Sequence, residues 1–184
     1  MVTASRPAPR YGLGLAIFVG AAVAVALGVY GNVHDPSGRS LVTLFFTKTI
    51  NLKVWFATVA MSLAVFQLGS ALKMQGKLGA ARGPRWLSKV HRASGTLAFA
   101  FAVIVAYHCL WALGFQDTDT RVLVHGVAGC VFFGALATKI LVVRGRSMPD
   151  LAFSLAGGLL FSAITVVWLS SSLWFFVNVE FPGL

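Results

Sequence analysis

Charge is scarce in this 184-residue chain: 11% of the residues are charged, and only five are acidic. Yet 58% are hydrophobic and the mean hydropathy is +0.82. A soluble domain of this length has neither the charged skin nor the core volume for such a composition. Cysteine is rarer still. The two cysteines, Cys109 and Cys130, both fall inside apolar runs, and no C-x-x-C-H or paired-cysteine spacing occurs. That excludes a covalent c-type haem attachment signal and gives no zinc or iron–sulfur pattern. H-E-x-x-H and G-x-S-x-G are also missing, which argues against a metalloprotease or a serine hydrolase. Internal repeats and long linkers are absent as well.

The apolar residues are gathered into five blocks, at 11–31, 54–72, 93–115, 122–143 and 151–177. About 20 apolar residues are needed to cross a bilayer as helix. Helix also satisfies every backbone amide within the segment, as lipid requires. The expected fold is an all-α membrane protein, one bundle of five transmembrane helices spanning residues 1–184. Its first apolar run exceeds the about 7–15 residues of a signal-peptide core, so a retained span is expected.

The formal net charge of +10 is a topology signal rather than a nucleic-acid footprint. With the N-terminus inside, the inner segments hold Arg6, Arg10, Lys73, Lys77, Arg82, Arg85, Lys89, Arg92, Lys139, Arg144 and Arg146 against Asp150 alone. The outer segments balance Arg39, Lys48, Lys53 and Arg121 with Asp35, Asp117, Asp119 and Glu180. Lysine and arginine kept on the cytoplasmic side set orientation. The expected partner is the lipid bilayer of a bacterial cytoplasmic membrane, crossed with the N-terminus cytoplasmic and the C-terminus outside, and no nucleic acid.

The connections shape the bundle. Residues 32–53 form the longest outer one; Asp35-Pro36-Ser37-Gly38 is turn chemistry, and the rest lies at the interface or adds turns to helix two. Residues 116–121, QDTDTR, are so short an outer hairpin that helices three and four are expected to be antiparallel neighbours. Pro149 is suited to starting helix five. Trp55, Trp111, Trp168 and Trp174 fall near the expected outer ends and suit an aromatic belt.

Histidines carry the chemistry. His108 lies about 10 Å, and His125 about 6 Å, inside the outer ends of helices three and four at 1.5 Å per residue. Ionisable groups within transmembrane helices are costly and mark functional sites. A haem iron held by axial histidines satisfies such buried nitrogens. Gly129, one turn beyond His125, leaves room for a flat macrocycle, although glycine also serves close helix packing. Two histidines on opposite faces of a haem hold their helices beyond the ordinary 8–10 Å spacing, so His108 and His125 are ligands either as one pair or separately. His34, past the outer end of helix one, is a further candidate, with a solvated turn as its alternative. His91 sits at the inner end of helix three, about 25 Å from His108 along the axis and on a different face. With Arg92 and Ser88 it is a candidate for a quinone head group or haem propionates, or else an interfacial polar cluster. Lys53 and Arg121 are candidates for neutralising propionates, or topological charges.

The segments GNVHDP, NLKVWFATVAMSLAVFQLGSAL, HRASG, AYHCLWALGF, RVLVHGVAG and FFGALATKILVVRGR resemble, over nearly the whole chain, a group of actinobacterial multi-pass membrane proteins of unknown function. More loosely, histidines on successive helices resemble the cytochrome b561 and ferric-reductase class. That resemblance implies haem b between helices and electron transfer across or along the membrane. The class uses two histidine pairs, whereas three of the four histidines here cluster on one side. SKVHRASG is similar to the S-x-x-H-R-x-S-G segment of the succinate dehydrogenase membrane anchor, where serine and arginine lie near quinone.

The expected function is therefore a membrane-embedded b-type cytochrome passing electrons from a quinol-type donor to an outer redox partner. His108 and His125 are its expected iron ligands, and His91 and Arg92 its inner quinone or propionate site. The alternatives are a non-catalytic anchor or assembly subunit of a larger respiratory complex, and a small transporter, for which Gln67 and Thr165 are the mid-membrane polar residues.

Overall fold

The computed structural model describes residues 12–36, 38, 42–79, 83–145 and 148–179. Of the charges that set the expected orientation, Arg6, Arg10, Arg82, Arg146, Arg39 and Glu180 lie outside the described residues, as does Ser37 of the turn. We call the end carrying residues 114–119 the outer end, following the charge pattern.

Five helices are long and apolar enough to cross a membrane. They are α1 (Leu13–Val33), α2 (Thr49–Met74), α3 (Leu87–Tyr107), α4 (Thr120–Arg144) and α5 (Asp150–Trp168). No strand occurs among the described residues. Two spans change character at their outer ends. α3 runs into a π-helical turn, π1 (His108–Leu113), and α5 into a second, π2 (Leu169–Leu173), followed by the short α6 (Trp174–Asn178). Each span lies within a few residues of its expected position at most ends; α2 and α3 each gain more than a turn at their N-terminal ends. α2 thus takes in the end of the long outer connection.

Local chemistry fixes the starts of the later helices. Asp119 caps α4, its carboxylate accepting from Val122 N at 2.9 Å. Pro149 precedes α5 in an extended conformation, with Asp150 in the first turn, where a carboxylate suits the positive end of the helix dipole. Gly114 ends π1 at φ +65°, a conformation open to glycine.

The helices pack in the order α1–α4–α5–α2–α3. α1 and α4 cross at small residues: a Cβ on Gly134 would lie 2.5 Å from Gly20 O and 2.9 Å from the Ala24 Cβ. Such close backbone approach is how membrane helices gain packing without a hydrophobic drive. Ala60, Phe132, Ala163 and Ile164 join α2, α4 and α5 in a core, with Phe101 and Phe133 packed against it.

α3 and α4 do not pack backbone against backbone, contrary to the expectation drawn from their short loop. The six residues between π1 and α4 reach about 20 Å when extended, so shortness does not force contact. The two helices stand apart around a cavity in the outer half, and α1 lies over the seam between them, touching π1 near Gly31.

Candidate functional site

The outer cavity measures about 380 Å³, within the range of small-molecule and cofactor pockets. Ala102, Val105 and Ala106 of α3 form one side and Val122, Gly126 and Gly129 of α4 the other. Both π turns contribute, Cys109 and Leu110 from π1 and Ser171 and Ser172 from π2. Single π turns within α-helices recur at functional sites because the widened turn displaces backbone and side chains from their regular register.

His125 is the one histidine that lines this cavity. Its Nδ1 lies 3.2 Å from Val167 O and 3.2 Å from Ser170 Oγ. The Ser170 hydroxyl donates to Val166 O at 2.7 Å, so its oxygen faces the ring as an acceptor. Two acceptors at Nδ1 assign the proton there and leave Nε2 with its lone pair. Nε2 has no partner among the described residues, and no buried side-chain nitrogen or oxygen among them is unsatisfied, so Nε2 is open rather than sealed.

His108 lies elsewhere. It is 1% exposed and does not line the cavity. Its Nδ1 is 2.7 Å from Ile104 O, and its Nε2 is 3.0 Å from Val42 O. The ring ties the outer connection to the start of π1, and neither nitrogen is open. His108 and His125 are therefore not brought together as a pair. His34 is stacked between Tyr30, at 4.9 Å, and Trp111, at 4.8 Å between ring centroids, with Nε2 3.3 Å from Trp111 O. It joins α1 to π1 outside the cavity.

His91, at the inner end, is turned toward α2. Its Nδ1 is 2.7 Å from Ser70 Oγ, whose hydroxyl donates to Gln67 O at 3.1 Å, and its carbonyl accepts from the Gln67 amide. Arg92 is exposed and Ser88 bonds its own turn, so neither joins His91 in a single cluster. Gln67 is thus engaged within the α2–α3 contact, and Thr165 donates to Phe161 O, so the two do not converge at mid-membrane. No group of three or more His, Cys, Asp or Glu able to hold a metal ion occurs among the described residues.

Two cations border the cavity. Lys53 makes no hydrogen bond or ion pair among the described residues. Arg121 donates to Ser170 O at 2.9 Å, lies 3.6 Å from Asp119, and places its guanidinium 3.9 Å above the Trp174 ring. Trp174 and Trp111 keep a surface position, but Trp168 does not: its indole donates to Thr58 Oγ1 at 3.0 Å and it lines the cavity. Gly129 also lines the cavity, and a Cβ there would meet nothing within 4 Å.

The model for a family of unknown function, DUF6529, matches residues 13–183, which takes in all five spans and both walls of the cavity. The chain belongs to the DUF6529 family. No curated protein and no solved structure matches this DUF6529 chain. Several of its cavity residues escaped sequence reasoning, among them Cys109, Cys130, Trp168 and the serines of π2. The serine run 170–172 inside an apolar span was the available signal, since polar residues at that depth need partners.

Proposed function

We propose that this chain binds haem b in the outer cavity through His125 and passes electrons from a membrane quinol to a redox partner at the outer face. One observation carries the reading: His125 donates from Nδ1 to a backbone carbonyl and holds Nε2 open on a cofactor-sized apolar cavity. Histidine that ligates a metal through one nitrogen is oriented by a hydrogen bond from the other, often to a carbonyl or carboxylate. The donor set fits one axial bond to a haem iron.

Other residues support the same occupant. The walls are apolar, Gly129 leaves unfilled space beside them, and Lys53 and Arg121 stand where acidic side groups need counter-charges. When bound, the haem supplies one-electron exchange; the protein supplies ligand identity, burial and orientation. Val167 O, at the end of α5, and Ser170 Oγ, in π2, hold the His125 ring. For the quinol we look to His91. Ser70 occupies its Nδ1, which leaves Nε2 as the nitrogen for a head-group oxygen.

Reduced-minus-oxidised visible spectra of the purified full chain test the haem reading. A haem b band is expected, lost in His125→Ala. Gly129→Leu is expected to lose it too while keeping the thermal unfolding midpoint of the parent without haem, because the added side chain meets the cavity rather than protein. A chain that carries no haem after expression with excess haem, or a band that survives His125→Ala, overturns the reading.

A further inference from the structure

We infer that the cavity offers a haem iron one imidazole and no second, leaving a coordination position free for a small uncharged molecule such as carbon monoxide or nitric oxide. This rests on the haem reading above and departs from a bis-histidine cytochrome.

The argument is one of elimination among named atoms. Four histidines exist in the chain, and His125 is the one on the cavity wall. His108 has each ring nitrogen within 3.0 Å of a backbone carbonyl, on a side chain with 1% exposure. Turning it into the cavity would break both contacts. His34 is held between two aromatic rings, and His91 is bonded to Ser70 toward the far end of α3.

Of the remaining donors on the walls, Lys53 and Arg121 are the counter-charges assigned above to acidic side groups. Cys130 shares α4 with His125, so it cannot stand across the cavity from it. Ser171 and Ser172 direct their hydroxyls to Val167 O and Val54 O. On the α3 side, Ala102, Val105 and Ala106 present short apolar side chains with no hydrogen-bonding atom. A wall of that kind accepts an uncharged diatomic molecule and gives nothing to hold an anion or a water molecule. Cys109 is the single soft donor on that side, and it has to be tested directly.

The experiment titrates carbon monoxide into the dithionite-reduced, haem-loaded full chain and follows the visible band. Stoichiometric binding, one molecule per haem, is expected in the parent, in His108→Ala and in Cys109→Ser alike. His125→Gly is expected to lose haem and to regain it with added imidazole. A haem band that saturating carbon monoxide does not move, with reactivity appearing in His108→Ala or Cys109→Ser, overturns the inference and identifies the second ligand. A band inert in all three proteins overturns it as well, while leaving the haem reading intact. A chain with no haem band fails at the earlier step and takes both down.

Discussion

His108 lies between two carbonyl oxygens, whereas His125 turns one nitrogen to a carbonyl and keeps the other open. A neutral imidazole carries one N–H, so His108 donates to one of its two oxygens, and its role is to join the outer connection to π1. Replacing it by alanine removes that donor and leaves a cavity of its own where a side chain of 1% exposure stood. His108→Ala is expected to lower stability by about 1–3 kcal/mol, through the lost hydrogen bond and the lost packing of a buried ring, and to leave haem binding in place. Thermal unfolding in detergent and the visible spectrum read the two effects separately. Sequence reasoning found both histidines by their depth, but their roles were not legible there. What separates them is the position of carbonyls from Val42 and Val167, groups that every residue carries and no side-chain pattern marks.

The spans themselves were legible because their cause is local: a block of apolar residues long enough to cross lipid makes helix whatever surrounds it. Their π turns were not, because a π turn follows from how a helix end is accommodated by its neighbours rather than from hydropathy. The contact between α1 and α4 lies between these cases. Glycines were visible in both helices, but their partners were not. Here the geometry is specific: a Cβ on Gly28 would lie 3.9 Å from the Cys130 sulfur. That contact puts position 28 beside the Cys130 sulfur, as a disulfide requires. Gly28→Cys in a Cys109→Ser background is therefore expected to crosslink to Cys130 under copper–phenanthroline oxidation, seen by peptide mapping. Val29→Cys, one position on and 55% exposed, is expected to give none. Equal crosslinking from both positions would contradict the described α1–α4 register.

At the scale of the whole molecule, the order α1–α4–α5–α2–α3 separates two helices that the chain joins directly, and the cavity occupies the separation. So short a loop suggests that α3 and α4 are forced together, yet six residues are long enough to bridge them. Orientation in the membrane rests on the charges. Single cysteines at Gln116 and Lys77, in a chain lacking Cys109 and Cys130, are expected to label from opposite sides. A membrane-impermeant maleimide reaches the first in intact cells and the second only after permeabilisation. The reverse result would put the cavity mouth on the cytoplasmic face and send the proposed electrons the other way.

A π turn is an α-helix that has taken in one more residue than its ladder was built for. Each residue advances the helix by about 100°, so Trp174 and Phe175, which follow π2, are indexed to the cavity by that surplus residue. Delete one serine from 169–173 and the screw returns to its ordinary thread. Trp174 swings out from beneath the Arg121 guanidinium, and the mouth of the cavity loses its rim although no rim residue has changed. In this bundle the entrance is written as much in residue count as in residue identity.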